Sequence, residues 1–476
     1  MKTLKNKIVY EHEINNISSK ATAIVFPDNA QELKTLVHFS EEDIVPRGSG
    51  TSFMGGCVPK DSVIVDFSKM NKIIEINPIK KIVQVEPGVL VSQLNEEAEE
   101  YGLEFPILPL FSGLETIGGM IAKNSSGSGE IKYGRMINWI ESLEVINGKG
   151  EHIKVAKSDF SDFVGMEGIT GLIIKANLRL TIKKNKSITI LKSKNINDAL
   201  AINQKMRLNQ DICSIDLINR EISVLLGLED KYHLFIEFEN LDGNFKNEDY
   251  ARFINLKNKA YPKIAGEGFT HIESIKVFLE SIPDFLFYLE DNKIPYFAHL
   301  ASGVIYLFLK VEEKEKHLEM LRFAKKIRAK VSYNSGIGLK NKEFLEISDI
   351  DLIRRVKKRH DPKWKFNQNK VINYKLMDEH SLDILKEKAE KEKRIFEKER
   401  LFEEKNIKIK EIEELLKKEV AESANNAVIE PQKIENQTPI RIELTEEEKA
   451  EKEKIRKLAS GFFSPSKQDG NEKILI

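Results

Sequence analysis

From residue 21 onward, short apolar runs alternate with polar turns bounded by glycine or proline, the pattern of strands interleaved with helices. Ala23 to Phe26 reads as a short buried strand. Asp28 is placed to cap a helix, with Gln31 three residues on as in a capping box, and Leu33, Leu36 and Val37 give that helix one apolar face. Ile44-Val45, Val63 to Val65, Ile73-Ile74 and Ile82 to Val85 continue as strands, the last closed by Glu86-Pro87-Gly88. An amphipathic helix is predicted from Val89 to Tyr101, ending at Gly102. Ile140 to Val145 and Lys175 to Leu180 are further strands. Beyond them, Ser187 to Leu191, a helix from Asn197 to Leu208, Tyr232 to Phe238 and Val304 to Leu309 continue the alternation.

Three glycine-rich stretches interrupt this pattern. The first, Pro46 to Gly56, holds four glycines and three hydroxyl residues without a carboxylate, so its backbone N–H groups suit an anion such as a pyrophosphate. It contains no lysine, which excludes a Walker A loop. Phe53 stands at the third glycine position of the dinucleotide fingerprint. Alone, the stretch is equally consistent with a plain turn. The second runs from Pro109 to Gly129 and embeds Met120-Ile121-Ala122. The third spans Gly165 to Gly171. A long small-residue segment inside a folded domain usually lines a ligand, and three clusters in one block point to a large dinucleotide.

Composition narrows the class. The 75 basic and 75 acidic residues of the 476-residue chain cancel, so nothing draws it to nucleic acid or to an anionic surface. Two cysteines, Cys57 and Cys213, exclude a disulfide framework and an iron–sulfur cluster held by the chain's own thiolates. No apolar run approaches the ~18 residues of a membrane span, and Met1 to Lys7 leads into no signal-peptide core. A soluble, cytoplasmic protein is expected.

The order Pro-Arg-Gly-Ser-Gly-Thr (46–51), Val-Glu-Pro-Gly-Val (85–89), Thr-Ile-Gly-Gly (116–119) with Ala122-x-Asn124, Lys132-Tyr133-Gly134 and Gly165-x-Glu167-Gly168-x-x-Gly171-Leu172-Ile173 resembles FAD-linked dehydrogenases of the vanillyl-alcohol-oxidase superfamily. Within it the likeness is to the glycolate-oxidase FAD subunit and D-lactate dehydrogenase branch, from about Ala21 to Asn373. The resemblance implies an α+β fold: a two-subdomain PCMH-type FAD-binding domain at 16–184, an α+β cap over the substrate at 187–375, and a charged helical tail at 378–476. It implies non-covalent FAD, since no histidine adjoins the first loop. Arg47, Gly48, Ser49, Gly50 and Thr51 would hold the pyrophosphate, and Thr116, Gly118 and Gly119 would lie near it and the ribityl chain. Asn124, Ser125, Tyr133 and Gly134 would run along the flavin, with Gly171 and Ile173 at the adenine end.

The family's two chemical motifs are altered. Where relatives carry His-x-Gly-Asp-Gly-Asn-x-His and Glu-His-Gly-Ile-Gly, this chain reads His299 to Tyr306 and Asn334-Ser335-Gly336-Ile337-Gly338. An amide and a phenol are poor ligands for a zinc-like ion, so no metal is expected there. His299 is the surviving candidate base, the alternative being a structural histidine between strands. Arg135, Lys340 and Lys342 are candidate carboxylate anchors, and Tyr133 and Tyr306 candidate hydrogen-bond donors. The expected activity is oxidation of a small 2-hydroxy acid, with electrons passed to a separate acceptor, an iron–sulfur protein being one candidate. The rivals are a flavin-binding subunit with reduced catalysis and a cap rebuilt for a sugar or longer alcohol. In the tail, Lys386 to Lys418 reads as a solvated helix, Ala421 to Thr438 as a disordered linker, Thr445 to Glu448 as a capping box, and Ser460 to Pro465 as a candidate docking peptide.

Overall fold

Four sheets carry the architecture. In the computed structural model, residues 2–3, 7–12, 17–109, 113–239, 245–246, 248–373 and scattered positions between 383 and 394 are described. Residues 1–389 and 390–476 form two units, and among the described residues every sheet belongs to the first. The tail elements expected from residue 395 onward, and residues 110–112 of the second glycine stretch, lie outside the described residues.

Strands Ala21–Phe26, Ser62–Asp66 and Ile44–Arg47 pair in parallel in that spatial order, with Lys2–Thr3 antiparallel at one edge. Parallel neighbours need a crossover, supplied between the first and third by the helix Ala30–Phe39, which buries Leu33 and Val37. Its cap lies one residue later than expected. Asn29 accepts from the Glu32 N–H at 3.0 Å, and the Glu32 carboxylate accepts from the Asp28 N–H at 3.1 Å. Asn29 takes the extended backbone that a cap needs, which a shared Asp/Asn preference could not separate beforehand.

A second, antiparallel sheet orders Ile73–Asn77, Ile82–Val85, Gly171–Arg179, Ile140–Asn147 and His152–Val155. Its apolar side is covered by the helix Val91–Glu99 and the short helix Ile117–Lys123, which bury Val91, Leu94, Ile117, Met120 and Ile121 among Val83, Leu143, Val145 and Leu178. The embedded Met120-Ile121-Ala122 is therefore helix rather than loop. A two-stranded ribbon joins Leu103–Glu104 to Thr181–Ile182.

An eight-stranded antiparallel sheet follows, all within residues 186–331. Its central strands Ile212–Ile218, Tyr232–Glu239, Tyr296–His299 and Val304–Leu309 are buried along their whole length, because apolar clusters cover both faces. The chain then returns to the first sheet. Ile44 donates to the Lys365 carbonyl at 2.6 Å and accepts from Asn367 at 2.9 Å, so the closing segment lies beside the strand that feeds the first glycine stretch. A fully buried Lys357–Asp361 pair, 2.5 Å apart, pins that return, the lysine also donating to the Ile169 and Phe366 carbonyls.

Candidate active site

The three glycine stretches meet in one cleft. Arg47, Gly48, Ser49, Gly50 and Thr51 line it together with Thr116, Gly118, Gly119, Gly168, Gly171 and Ile173, around about 840 Å³ of space partly open to solvent. Close approach explains two of the glycines. A Cβ on Gly48 would overlap Thr116 Oγ1, and one on Gly118 would sit 2.7 Å from the Pro87 Cβ, whereas real Cβ atoms keep at least 3.0 Å. Thr116 itself caps the helix Ile117–Lys123, its hydroxyl accepting from Gly119 N–H at 3.2 Å.

Two carboxylates border the cleft and both are engaged. Glu115 pairs with Lys123 at 3.1 Å. Glu167 accepts from the Ile337 and Gly338 N–H groups at 2.6 and 3.0 Å, clasping the segment 336–338 against the third glycine stretch. Burial raises the Glu167 pKa, and those two backbone bonds only partly oppose it.

Beside the cleft lies a smaller space, about 340 Å³ in all and partly open to solvent, lined by Phe53, Ser125, Ser126, Tyr306 and Asn334 among others. Glu115, Lys123 and Ser335 line both spaces. Asn334 organises the polar wall. Its amide donates to Ser126 Oγ at 3.0 Å and to the Tyr306 hydroxyl at 2.9 Å. Ser126 Oγ donates in turn to Glu130, which also accepts from Tyr333 and Lys276, each at 2.8 Å. Burial would raise the Glu130 pKa, but Lys276, Ser126 and Tyr333 outweigh it and hold the group ionised. The Tyr306 phenol is pushed above its ordinary range by burial. Ser125 Oγ is buried without a partner.

His299 packs edge-on against Tyr306, ring centroids 5.3 Å apart. Its Nδ1 lies 2.7 Å from Asp216 Oδ1, and the other Asp216 oxygen accepts from Lys257 Nζ at 2.8 Å. Lys257 reaches on to Ser128 Oγ at 3.0 Å, tying the eight-stranded sheet to the second glycine stretch. Burial alone would raise the Asp216 pKa; Lys257 and His299 overcome it, and the net shift is downward. An ionised Asp216 keeps the proton of His299 on Nδ1, leaving Nε2 as an acceptor. That Nε2 is buried without a partner.

Asn124, Tyr133, Gly134, Arg135, His299, Lys340 and Lys342 are not among the residues lining either space. Asn124 takes a left-handed conformation at the end of the helix Ile117–Lys123, its side chain accepting from Ile137 N–H at 3.0 Å. Tyr133 donates to the Glu239 carboxylate. Gly134 ends a short helix at φ +70°. Arg135, expected as a carboxylate anchor, donates to the Tyr333 carbonyl at 3.0 Å and lies over the Tyr333 ring at 4.0 Å. Lys342 is turned to Asn369 and Asn373. Lys123, which sequence reasoning passed over, lines both spaces. Sequence reasoning also passed over Asp216, although a lone carboxylate in the buried strand Ile212–Ile218 was a signal for it.

Residues 21–156 match the family described as FAD binding domain. The chain carries an FAD binding domain. Over 421 residues it is 23% identical to D-2-hydroxyglutarate dehydrogenase of Stutzerimonas stutzeri, covering 74% of this chain and 91% of that one. Glycolate oxidase subunit GlcD of Bacillus subtilis is 32% identical over 188 residues, 37% of this chain and 40% of that one. D-lactate dehydrogenase of Archaeoglobus fulgidus is 34% identical over 172 residues, 33% of this chain and 38% of that one. Among solved structures, an alkyldihydroxyacetonephosphate synthase superposes with a TM-score of 0.59 at 16% identity over 77% of this chain and 82% of that one, a likeness of fold. These relatives are named as 2-hydroxy-acid dehydrogenases and an oxidase subunit, and the matched domain is one that binds FAD. Among the described residues, no helix is long and apolar enough to cross a membrane.

The cleft fits FAD by its own chemistry. Of its two carboxylates Glu115 is paired with Lys123 and Glu167 is held by two backbone N–H groups, its loop offers backbone N–H and hydroxyl donors, and glycines sit where side chains would close the space.

Proposed function

We propose that this protein oxidises a small 2-hydroxy acid of the D-lactate or glycolate type and passes the electrons to a separate acceptor. The observation that carries this reading is the small polar cavity opening beside the glycine-lined cleft, with Glu115, Lys123 and Ser335 common to both. Bound in the cleft, FAD supplies the hydride acceptor. Arg47 to Thr51, with Thr116, Gly118 and Gly119, would hold its pyrophosphate and ribityl part, and Gly171 and Ile173 its adenine end. Lys123 anchors the substrate carboxylate; its ammonium has three donors, of which Glu115 takes one. Asn334 and Tyr306 orient the hydroxyl, and His299 holds the departing proton at Nε2, with Asp216 fixing its ring. Removing such a base costs about 10²–10⁴-fold in rate.

A second reading, a flavin-binding subunit with reduced catalysis, draws on the bond between Asn334 and Tyr306. These two groups satisfy each other at two positions that the motif resemblance would give to metal ligands. Adding D-lactate, glycolate or D-2-hydroxyglutarate anaerobically to the flavin-loaded protein separates the two. Bleaching of the flavin by one of them supports the enzyme, and loss of that bleaching in His299→Gln supports the base. A flavin that stays oxidised with all three leaves the reduced subunit or a different substrate.

A further inference from the structure

On the strand His271–Lys276, His271 and Glu273 are two residues apart and so share one face. From the helix Lys314–Lys326, His317 meets them. The three offer ligand atoms all within 4.8 Å of one another. His271 Nε2 and His317 Nε2 are 3.3 Å apart, and His317 Nε2 lies 3.6 Å from Glu273 Oε2.

These separations have a simple geometric meaning. Ligands about 2.0–2.1 Å from a tetrahedral zinc stand roughly 3.3–3.4 Å from each other. Two of the three edges here are 3.3 and 3.6 Å, already near that figure. Without an ion, a direct N–H···N bond between the rings accounts for the first distance and a His317–Glu273 ion pair for the second.

The surroundings are those of a supported ligand set. Glu273 is fully buried. Its Oε1 accepts from Ser335 Oγ at 2.9 Å and from the Ser274 N–H at 2.9 Å, and its Oε2 accepts from Asn341 Nδ2 at 2.5 Å. Such outer bonds orient a ligating carboxylate. His271 is buried, whereas the His317 side chain is 15% exposed, so an ion has an entry on the helix side. The set lies outside the altered motifs at 299–306 and 334–338, on which the expectation of no metal was based.

We propose that His271, Glu273 and His317 bind one divalent transition cation of the zinc class, with water as the fourth ligand. The ion joins the strand His271–Lys276, the helix Lys314–Lys326 and, through Glu273, the segment 332–341. That segment borders the cofactor cleft at Ser335 and Gly336, so the ion braces the cleft wall from behind.

The test uses the full chain, stripped with a chelator and titrated with Co²⁺ and then Zn²⁺. One Co²⁺ per chain is expected, with the strong visible absorption of a four-coordinate site, displaced by Zn²⁺ and accompanied by a higher Tm. In His317→Ala, on the partly exposed helix, affinity should fall at least roughly 100-fold, because loss of a mere supporting partner already costs about 10–100-fold. Flavin content and circular dichroism show whether that variant is folded. Asn341→Ala, which leaves all three ligands in place, should weaken the ion about 10–100-fold. Failure to bind Co²⁺ or Zn²⁺ stoichiometrically overturns the proposal, as does unchanged binding in folded His317→Ala. Neither result bears on the flavin chemistry, which is read separately by bleaching.

Discussion

Replacing Gly48 with alanine tests the architecture of the cofactor cleft. The added Cβ overlaps Thr116 Oγ1, while Thr116 Cβ and Cγ2 stand at 3.4 and 3.5 Å, ordinary contact distances. Only the hydroxyl is in the way. Two responses are open to the protein. Thr116 can rotate its hydroxyl aside, losing the cap on Gly119 at a cost of about 1 kcal/mol. Otherwise the loop and the helix separate by several tenths of an ångström, a strain of about 1–3 kcal/mol. The second widens the space between the two segments proposed to hold FAD, so FAD affinity should fall roughly 5- to 150-fold. Flavin fluorescence titration measures it, and urea unfolding of the flavin-free protein measures the cap. Thr116→Ala removes the obstructing atom. The double variant Gly48→Ala, Thr116→Ala should therefore bind FAD about as well as Thr116→Ala alone. Wild-type FAD affinity together with unchanged urea stability in Gly48→Ala, or a double variant whose loss is the sum of the two singles, would refute the reasoning.

Three further outcomes follow from the same geometry. Lys123→Met should raise KM for the hydroxy acid roughly 10- to 150-fold, the worth of a hydrogen bond to a charged group, with a smaller effect on kcat; an unchanged KM removes Lys123 as the anchor. Lys357→Met should cost about 3–5 kcal/mol in urea unfolding by stranding the buried Asp361 carboxylate, and Lys357→Met with Asp361→Asn should recover part of it; a loss under about 1 kcal/mol would show the pair to be unimportant. The Asp216 pKa is depressed in the folded chain, so its stabilisation is whole above the ordinary value of 3.8 and is lost as pH falls through the lower folded value. The stability gap between wild type and Asp216→Asn should therefore be constant above about pH 5 and shrink below about pH 4. A gap that holds down to about pH 3 contradicts the shift.

Local order along the chain was enough to read the elements. Runs such as Ile82 to Val85 and Tyr232 to Phe238 alternate or stay apolar over a strand's length, and Leu33, Leu36 and Val37 recur at a helix's spacing. The glycine stretches by themselves pointed to a large dinucleotide, and the motif resemblance named it FAD; backbone N–H donors and missing side chains are properties of a few adjacent residues. What sits above the cofactor was decided in three dimensions. Asn334 meets Ser126 across 208 positions, and Ser335 meets Glu273 across 62. His299 acquires its partner Asp216 only because the strands Ile212–Ile218 and Tyr296–His299 pair with those two residues opposite each other. From the sequence, Arg135 was named as an anchor and Lys123 was passed over. One is spent on Tyr333 and the other faces both spaces, a difference set by where the helix Ile117–Lys123 docks. His271, Glu273 and His317 are unremarkable in order along the chain, and converge only when a helix packs on its strand. Periodicity and glycine act through neighbouring residues, so the chain displays them; side-chain convergence depends on strand register and helix docking, which many distant contacts settle together.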